Sequence, residues 1–238
     1  MNHNLEPDKI VDTIHLLQKR ISERFPQSGL SKVSVELGTI AKESESRCKW
    51  IRKPQIMLRI GVGIAITMMV AILFIGIGTS VKFSLIQRIE FTDFLQVLEA
   101  GMNTVVLVGA ALFFLVTVET RRKRQRAMAA IYQLRALAHV VDMHQLTKDP
   151  ERVFSKNMVW TASSPRTSMN AFELTRYLDY CTEMLSLVGK IAALYTQNSE
   201  DTAVLAAVND VENLTTGLSR KIWQKIVILR REGNDFDA

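Results

Sequence analysis

The residues of this chain that most suggest chemistry are His139, Asp142 and His144, which lie within six positions of one another. Two imidazoles and a carboxylate are ligands that zinc accepts. The spacing argues against a shared metal, because five residues of α-helix separate the two imidazoles by about 140° around the axis. His139 and Asp142 are three residues apart, and are therefore close enough on a helix to form a simple hydrogen bond instead. We expect that structural role, and no metal site, at these residues.

No other pattern in the chain is typical of a catalytic or cofactor-binding site. The sequence has no glycine-rich phosphate loop, no HExxH pair, no nucleophile elbow and no CxxC pair. Its two cysteines, Cys48 and Cys181, fall in parts that are expected to face the cytoplasm. Thiols stay reduced in that compartment, so we expect no disulfide. The sequence therefore favours a protein that is not an enzyme and that holds no cofactor.

Two uncharged apolar segments dominate the sequence. Residues 60–81 run for 22 positions without a charge, and residues 100–118 run for 19 more. As helices they would measure roughly 33 and 28 Å, close to the ~30 Å hydrocarbon core of a membrane. Helices buried in a soluble core are the alternative, but these are usually shorter and are seldom bounded so abruptly by charge. We therefore predict two transmembrane helices, over residues 56–81 and 100–118.

Basic residues crowd the outer ends of both apolar segments, whereas the connector between the segments carries charges of both signs. By the positive-inside rule, this distribution puts both termini in the cytoplasm. Nucleic-acid binding is the alternative for such clusters, but their position beside apolar segments favours anionic lipid headgroups and no nucleic acid. The basic residues are Arg47, Lys49, Arg52, Lys53 and Arg59 before the first segment, and Arg121, Arg122, Lys123, Arg124 and Arg126 after the second.

The rest of the sequence divides into three parts. Residues 1–55 are predicted to form a cytoplasmic N-terminal helical hairpin, residues 82–99 a short external connector, and residues 119–238 a cytoplasmic helical bundle. Strand-like alternation is hard to find, and glycine and proline are scarce outside the apolar segments. The predicted fold class is an all-α membrane protein, in which a two-helix transmembrane hairpin joins the N-terminal hairpin to a C-terminal coiled-coil-like bundle. The connector either extends one of the spans or lies as an amphipathic helix at the outer interface.

Apolar residues at helical spacing define the N-terminal hairpin. A break at residues 26–29 separates its two helices, and Ser31 is the predicted N-cap of the second. The buried faces are predicted to be Ile10, Ile14, Leu17, Ile21 and Phe25 in the first helix, and Val33, Leu37 and Ile40 in the second.

The C-terminal part predicts three helices. The first continues directly from the second span and ends near Lys148. The next begins near Ser168 or Asn170, and Asn170 and Glu173 are spaced like a capping box. The last helix begins after Ser199 and ends at Gly233. The last two helices are expected to pair as a coiled coil. The predicted inner faces are Met128, Ile131, Leu134, Ala138 and Val141; Leu174, Leu178, Cys181, Leu185, Val188, Ala192 and Tyr195; and Val204, Val208, Val211, Thr215, Leu218, Ile222 and Leu229.

Side chains within the spans limit the possible functions. Small residues such as Gly61 and Ala65 allow close helix packing, either against the second span or between copies of the chain. No titratable side chain lies within the spans, which argues against an ion-coupled transporter. We expect a membrane-anchored helical scaffold or signalling subunit that binds another copy or a partner protein through its helical seams. The alternative is an oligomeric pore whose lumen is faced by Asn103, Thr67 and Thr104.

The expected location is a bacterial inner membrane, because nothing in the sequence indicates organelle targeting.

Overall fold

The computed structural model describes residues 5–52, 60–64, 66–67, 70–71, 74, 91–154, 163, 169–197, 199 and 201–236. Helix makes up 90% of the structure, and no strand occurs among the described residues. The prediction of an all-helical protein is confirmed. Residues 53–55 of the predicted N-terminal hairpin, residues 56–59, 65, 68–69, 72–73 and 75–81 of the first predicted span, and residues 82–90 of the connector lie outside the described residues. Ala65, which was expected to allow close helix packing, is among them.

Six helices have both ends within the described residues. They are α1 Pro7–Arg24, α2 Gly29–Arg52, α3 Phe91–Leu146, α4 Glu151–Phe154, α5 Ala171–Leu194 and α6 Thr202–Phe236. The described residues between positions 60 and 74 are also helical. Since α3 begins at Phe91, residues 91–99 of the predicted connector extend the second apolar segment. This is one of the two alternatives that the sequence left open.

The chain divides into two compact units. The first, called the bundle unit below, combines Met1–Arg52 with Arg124–Ala238, and the second, called the span unit, consists of Lys53–Lys123. The helix α3 supplies residues to both units. Segments from before the first apolar segment and after the second therefore share one compact unit.

In the bundle unit, α1 and α2 pack against each other as a hairpin, and both also contact α5. The start of α1 lies beside the end of α2, where Lys49 Nζ is 3.7 Å from Asp8 Oδ1. The apolar faces predicted from the spacing are buried, with Phe25 only partly so. The buried residues on these faces are Ile10, Ile14, Leu17 and Ile21 in α1, and Val33, Leu37 and Ile40 in α2.

The start of α2 differs from the prediction. The helix begins at Gly29, so Ser31 lies in its first turn and does not cap it. Ser28 takes that role, since its Oγ accepts a hydrogen bond from the Ser31 backbone N–H at 3.1 Å. The prediction of Ser31 as N-cap is wrong because two serines stand close together, and the apolar spacing alone does not choose between them.

The helices α5 and α6 form the pair that their heptad spacing predicts. Every residue assigned to their two seams is buried. The capping box is confirmed: the Asn170 side chain accepts from the Glu173 backbone N–H at 2.8 Å, and the Asn170 N–H donates to the Glu173 carboxylate at 3.0 Å. The predicted end of α6 at Gly233 is wrong, because the helix continues to Phe236. Glycine lowers helix stability by only about 1 kcal/mol, so it does not have to end a helix.

The C-terminal part of α3 completes the bundle unit. Ile131, Leu134, Ala138 and Val141 are buried as predicted, and Met128 is partly buried. The helix ends at Leu146, close to the predicted end near Lys148. The prediction that one helix runs on from the second apolar segment is therefore confirmed.

Candidate functional site

Among the described residues, the longest apolar surface lies on α3. Within Glu99–Leu146, a window of 18 residues has a mean hydropathy of 2.1, and none of that window is buried. By length and composition, α3 is the one helix among the described residues that could cross a membrane. Its largest side chains face outward, since Phe113 is 75% exposed, Leu107 70% and Phe114 65%. An amphipathic helix of a soluble protein would turn such side chains to the core.

Two threonines assigned to a possible pore are satisfied by their own helices. Thr104 Oγ1 donates to the Ala100 carbonyl at 2.9 Å, and Thr67 Oγ1 donates to the Gly63 carbonyl at 2.8 Å. Hydroxyls bonded in this way need neither a water-filled lumen nor a neighbouring helix. Asn103 is exposed on α3. Of the three residues proposed to face a lumen, only Asn103 depends on its surroundings for hydrogen-bond partners to its side chain.

Directly after its apolar segment, α3 carries a basic cluster. Successive residues of an α-helix are about 100° apart, so the cluster surrounds the helix. Lys123 Nζ lies 3.6 Å from Glu119 Oε1, and Arg124 Nε lies 3.5 Å from Asp201 Oδ2. Two other members are exposed and form no ion pair with a described residue. The basic cluster consists of Arg121, Arg122, Lys123, Arg124 and Arg126, and the two exposed members without an ion pair are Arg121 and Arg122.

The structure does not bring His139, Asp142 and His144 together. His139 is exposed, whereas the other two are partly buried. Asp142 Oδ1 accepts a hydrogen bond from Gln145 Nε2 at 2.6 Å, and not from His139, the partner considered from the sequence. The His144 ring packs over Gly29, at a distance that leaves no room for a Cβ there. Among the described residues, no group of three or more potential ligands is placed to hold a metal ion.

Lys225 forms a contact in the bundle unit that the sequence did not indicate. Its Nζ donates to the Gln145 carbonyl at 2.9 Å and to the Lys148 carbonyl at 3.0 Å. The Gln145 carbonyl lies in the last turn of α3 and also accepts from the Lys148 backbone N–H at 3.0 Å, and the Lys148 carbonyl lies just beyond the helix end, where the helix dipole favours a cation. Lys225 therefore fastens the end of α3 to α6. In the sequence it resembles a polar interruption of an apolar seam, and nothing local indicates its partners.

The two lysines next to this contact are partly buried. Burial lowers the pKa of Lys225, and burial also lowers the pKa of Lys148, whose Nζ lies 5.2 Å from the centre of the Tyr177 ring. Burial raises the pKa of Cys181 to about 12, and that of Cys48 in α2 to about 11. At neutral pH both thiols are therefore protonated and poorly nucleophilic. This environment is typical of structural cysteines.

A groove of about 440 Å³ lies between α1 and α5. Its floor is apolar, and includes Ile10 and Leu187, both 6% exposed. Its rim carries charges of both signs, among them Lys9, Glu183 and Lys190. The mixed rim does not select a ligand of either charge, so the groove by itself points to no substrate class.

No protein family, no curated protein and no solved structure matches this chain.

Proposed function

We propose that this protein is a membrane-anchored helical scaffold or signalling subunit that presents its bundle unit at the inner face of a bacterial membrane. The observation that carries the proposal is the continuity of α3. One helix contains an exposed apolar segment, then a basic cluster, and then a face buried in the bundle unit.

The free energy of exposing the apolar segment supports a membrane environment. Eight large apolar side chains between positions 99 and 118 are more than 40% exposed. Full burial of such a side chain contributes about 1.5–3 kcal/mol, and because these eight are 43–75% exposed, leaving them in water costs roughly 7–14 kcal/mol together. That sum is comparable to the roughly 5–15 kcal/mol of net stability typical of a folded protein. Lipid contact removes this cost. The eight residues are Met102, Val105, Val106, Leu107, Phe113, Phe114, Leu115 and Val116.

The bundle unit contains segments from before and after the two apolar segments, which supports an even number of membrane crossings. Met1–Arg52 and Arg124–Ala238 belong to the same compact unit, although two apolar segments separate them in the chain. If α3 crosses the bilayer, the chain must cross it once more to keep both parts on one side. The first apolar segment is long enough to do so. The basic residues that flank both segments favour the cytoplasm for the bundle unit and both termini.

The interior of the bundle unit supports a role in binding rather than catalysis. Lys225 is partly buried and engaged in a helix contact, and the Cys181 thiol is shielded from solvent. The protein would act by holding helical surfaces at the membrane for another copy of the chain or for a partner protein. Anionic headgroups would neutralise the exposed arginines of the basic cluster.

Alkaline extraction of native membranes with matched variants tests the anchor. The double variant Leu107→Asp/Phe114→Asp places two carboxylates in the apolar segment, at a cost of about 5–7 kcal/mol for insertion. We expect most of this variant to appear in the soluble or degraded fraction. The control Leu16→Asp/Phe172→Asp changes residues of the bundle unit that are equally exposed, at 65% and 63%. The control should stay in the membrane pellet with the wild type; if both variants behave alike, the anchor is excluded.

Asn103 favours a pore as the second candidate function, because its exposed amide would find water in a lumen. Liposomes that contain the pure protein distinguish the two functions. A scaffold leaves the liposomes sealed across the range of voltage, whereas a pore gives an ion flux that changes with Asn103→Leu.

A further inference from the structure

The face of α3 that points away from the bundle core is unlike the outward face of α1. We call it the outer stripe. Its members are spaced by three and four residues in alternation, as in a heptad repeat, and all of them are exposed. Tyr132, Met143 and Leu146 are 56%, 66% and 62% exposed. The outer stripe consists of Ala129, Tyr132, Ala136, His139, Met143 and Leu146.

This part of α3 carries fewer charged residues than a helix face that contacts water usually does. Of the 20 residues at positions 127–146, two are aspartate, glutamate, lysine or arginine, namely Arg135 and Asp142. The 18 residues of α1 contain seven such residues, and they occupy mainly its exposed positions. A helix face that carries apolar groups in a heptad spacing, and so little charge, is typical of an interface.

The same spacing continues towards the N-terminus of α3. Steps of three and four residues from the outer stripe reach Leu115, Ala111 and Thr104, which are exposed, and also Val118, Val108 and Gly101, which are partly buried. The stripe alone is about 26 Å long, which is short for an interface that must bury ~800 Å² on each partner, so the exposed positions of the apolar segment would have to contribute as well. The register passes through Gly101, Thr104, Val108, Ala111, Leu115, Val118, Arg122 and Gln125. Small residues among these allow helices to approach closely in lipid.

We propose that the outer stripe binds the outer stripe of a second copy of this chain, as a parallel and in-register helix pair. The proposal rests on the proposed membrane anchor, which fixes every copy at the same height and in the same direction. Each stripe position then faces its own counterpart. Such homotypic contact is repulsive for a charged face, and the outer stripe carries no carboxylate, lysine or arginine. Arg122, the charged position of the longer register, lies in the basic cluster, where lipid headgroups supply the opposite charge.

Disulfide cross-linking of the full-length protein in native membranes tests this pairing. In a parallel pair, the Cα atoms of opposed stripe positions approach to a distance that a disulfide spans, about 4.4–6.8 Å. Ala136→Cys lies on the stripe. Gln133→Cys is the matched control, because it lies on the exposed surface of the same helix but about 90° from the centre of the stripe. Lys221→Cys, which is exposed on α6, is the second control. The native thiols of Cys48 and Cys181 are buried and should not react.

We expect oxidation to produce a species of twice the chain mass from Ala136→Cys, about tenfold more efficiently than from either control, because only stripe positions meet the distance requirement. Adding Met143→Lys should reduce this product and leave the thermal melt of the bundle unit unchanged, because Met143 is exposed. Equal cross-linking at all three positions, no cross-linking at Ala136→Cys, or a product of another mass would each overturn the proposal. If the chain stays in the membrane pellet but does not cross-link, only the pairing fails; if it leaves the pellet, the anchor fails as well.

Discussion

Removal of the Lys225 ammonium should loosen the end of α3 and destabilise the bundle unit. Its Nζ donates to two backbone carbonyls, those of Gln145 and Lys148, at 2.9 and 3.0 Å. A hydrogen bond to a charged group contributes about 1.5–3 kcal/mol to stability. Two such bonds set an upper bound of roughly 3–6 kcal/mol. The partial burial that lowers the Lys225 pKa offsets part of this, so we expect Lys225→Met to cost about 1–3 kcal/mol.

Lys221→Met is the matched control, because the same substitution is then made one turn earlier on the same helix, at an exposed position. Surface substitutions of this kind usually change the free energy of unfolding by less than about 0.5 kcal/mol. Urea titration of the full-length protein in detergent, followed by circular dichroism, compares the two variants. If Lys225→Met loses no more stability than Lys221→Met, Lys225 does not fasten the end of α3.

Three further sites of the bundle unit are probed by unfolding measurements. Gly29→Ala places a Cβ 2.2 Å from His144 Cε1 and should cost about 1–3 kcal/mol through overpacking. Adding His144→Ala should recover much of that loss, and no recovery would show that the contact is not the cause. Asn170→Ala removes the capping box and should cost about 1 kcal/mol, unless the α5 terminus is satisfied in another way. Cys181 has a folded pKa of about 12, above its ordinary value of 9.0, so the folded state keeps a proton that the unfolded state loses. Its contribution to stability is therefore complete below about pH 9 and declines as the pH rises towards 12, and Cys181→Ala should flatten the alkaline slope of the melting temperature.

Regular spacing explains why much of the bundle unit could be predicted from the sequence. The seam positions of α5 and α6, such as Leu185 and Val211, repeat every three or four residues, and the structure buries them. Helical periodicity is a strong signal because one face of the helix must leave water. The capping box at Asn170 could also be predicted from the sequence, since both of its hydrogen bonds join residues three positions apart.

Contacts between distant residues could not be predicted in this way. Lys225 bonds carbonyls about 80 positions earlier in the chain, and Gly29 accommodates a ring from position 144. Every residue has a backbone carbonyl, so the sequence does not show which carbonyls a lysine will bind. A glycine at the start of a helix indicates a break in the chain whether or not a side chain packs against it. The hydrogen-bond partner of Asp142 was predicted incorrectly for a related reason. His139 and Gln145 both lie three residues from Asp142 on the same helix, and Asp142 accepts from Gln145.

The candidate functional surfaces were visible in the sequence only in part. The apolar segment and the basic cluster of α3 are compositional features, and they could be recognised without the fold. The outer stripe could not, because the sequence offers several apolar faces on α3 and only the packing of the bundle unit decides which of them stays exposed. The heptad seams first expected to bind partners, including Leu185, are occupied by the chain's own helices. The exposed face that is left for another copy contains Tyr132 and Met143.

The sidedness of the bundle unit tests the central claim most directly. Single cysteines at Asp12 and Lys221 are exposed in α1 and α6, before and after the two apolar segments. A membrane-impermeant maleimide is applied to sealed inverted and right-side-out vesicles. The account predicts that both positions are labelled in inverted vesicles and neither in right-side-out vesicles. Labelling of the two positions from opposite faces would contradict it.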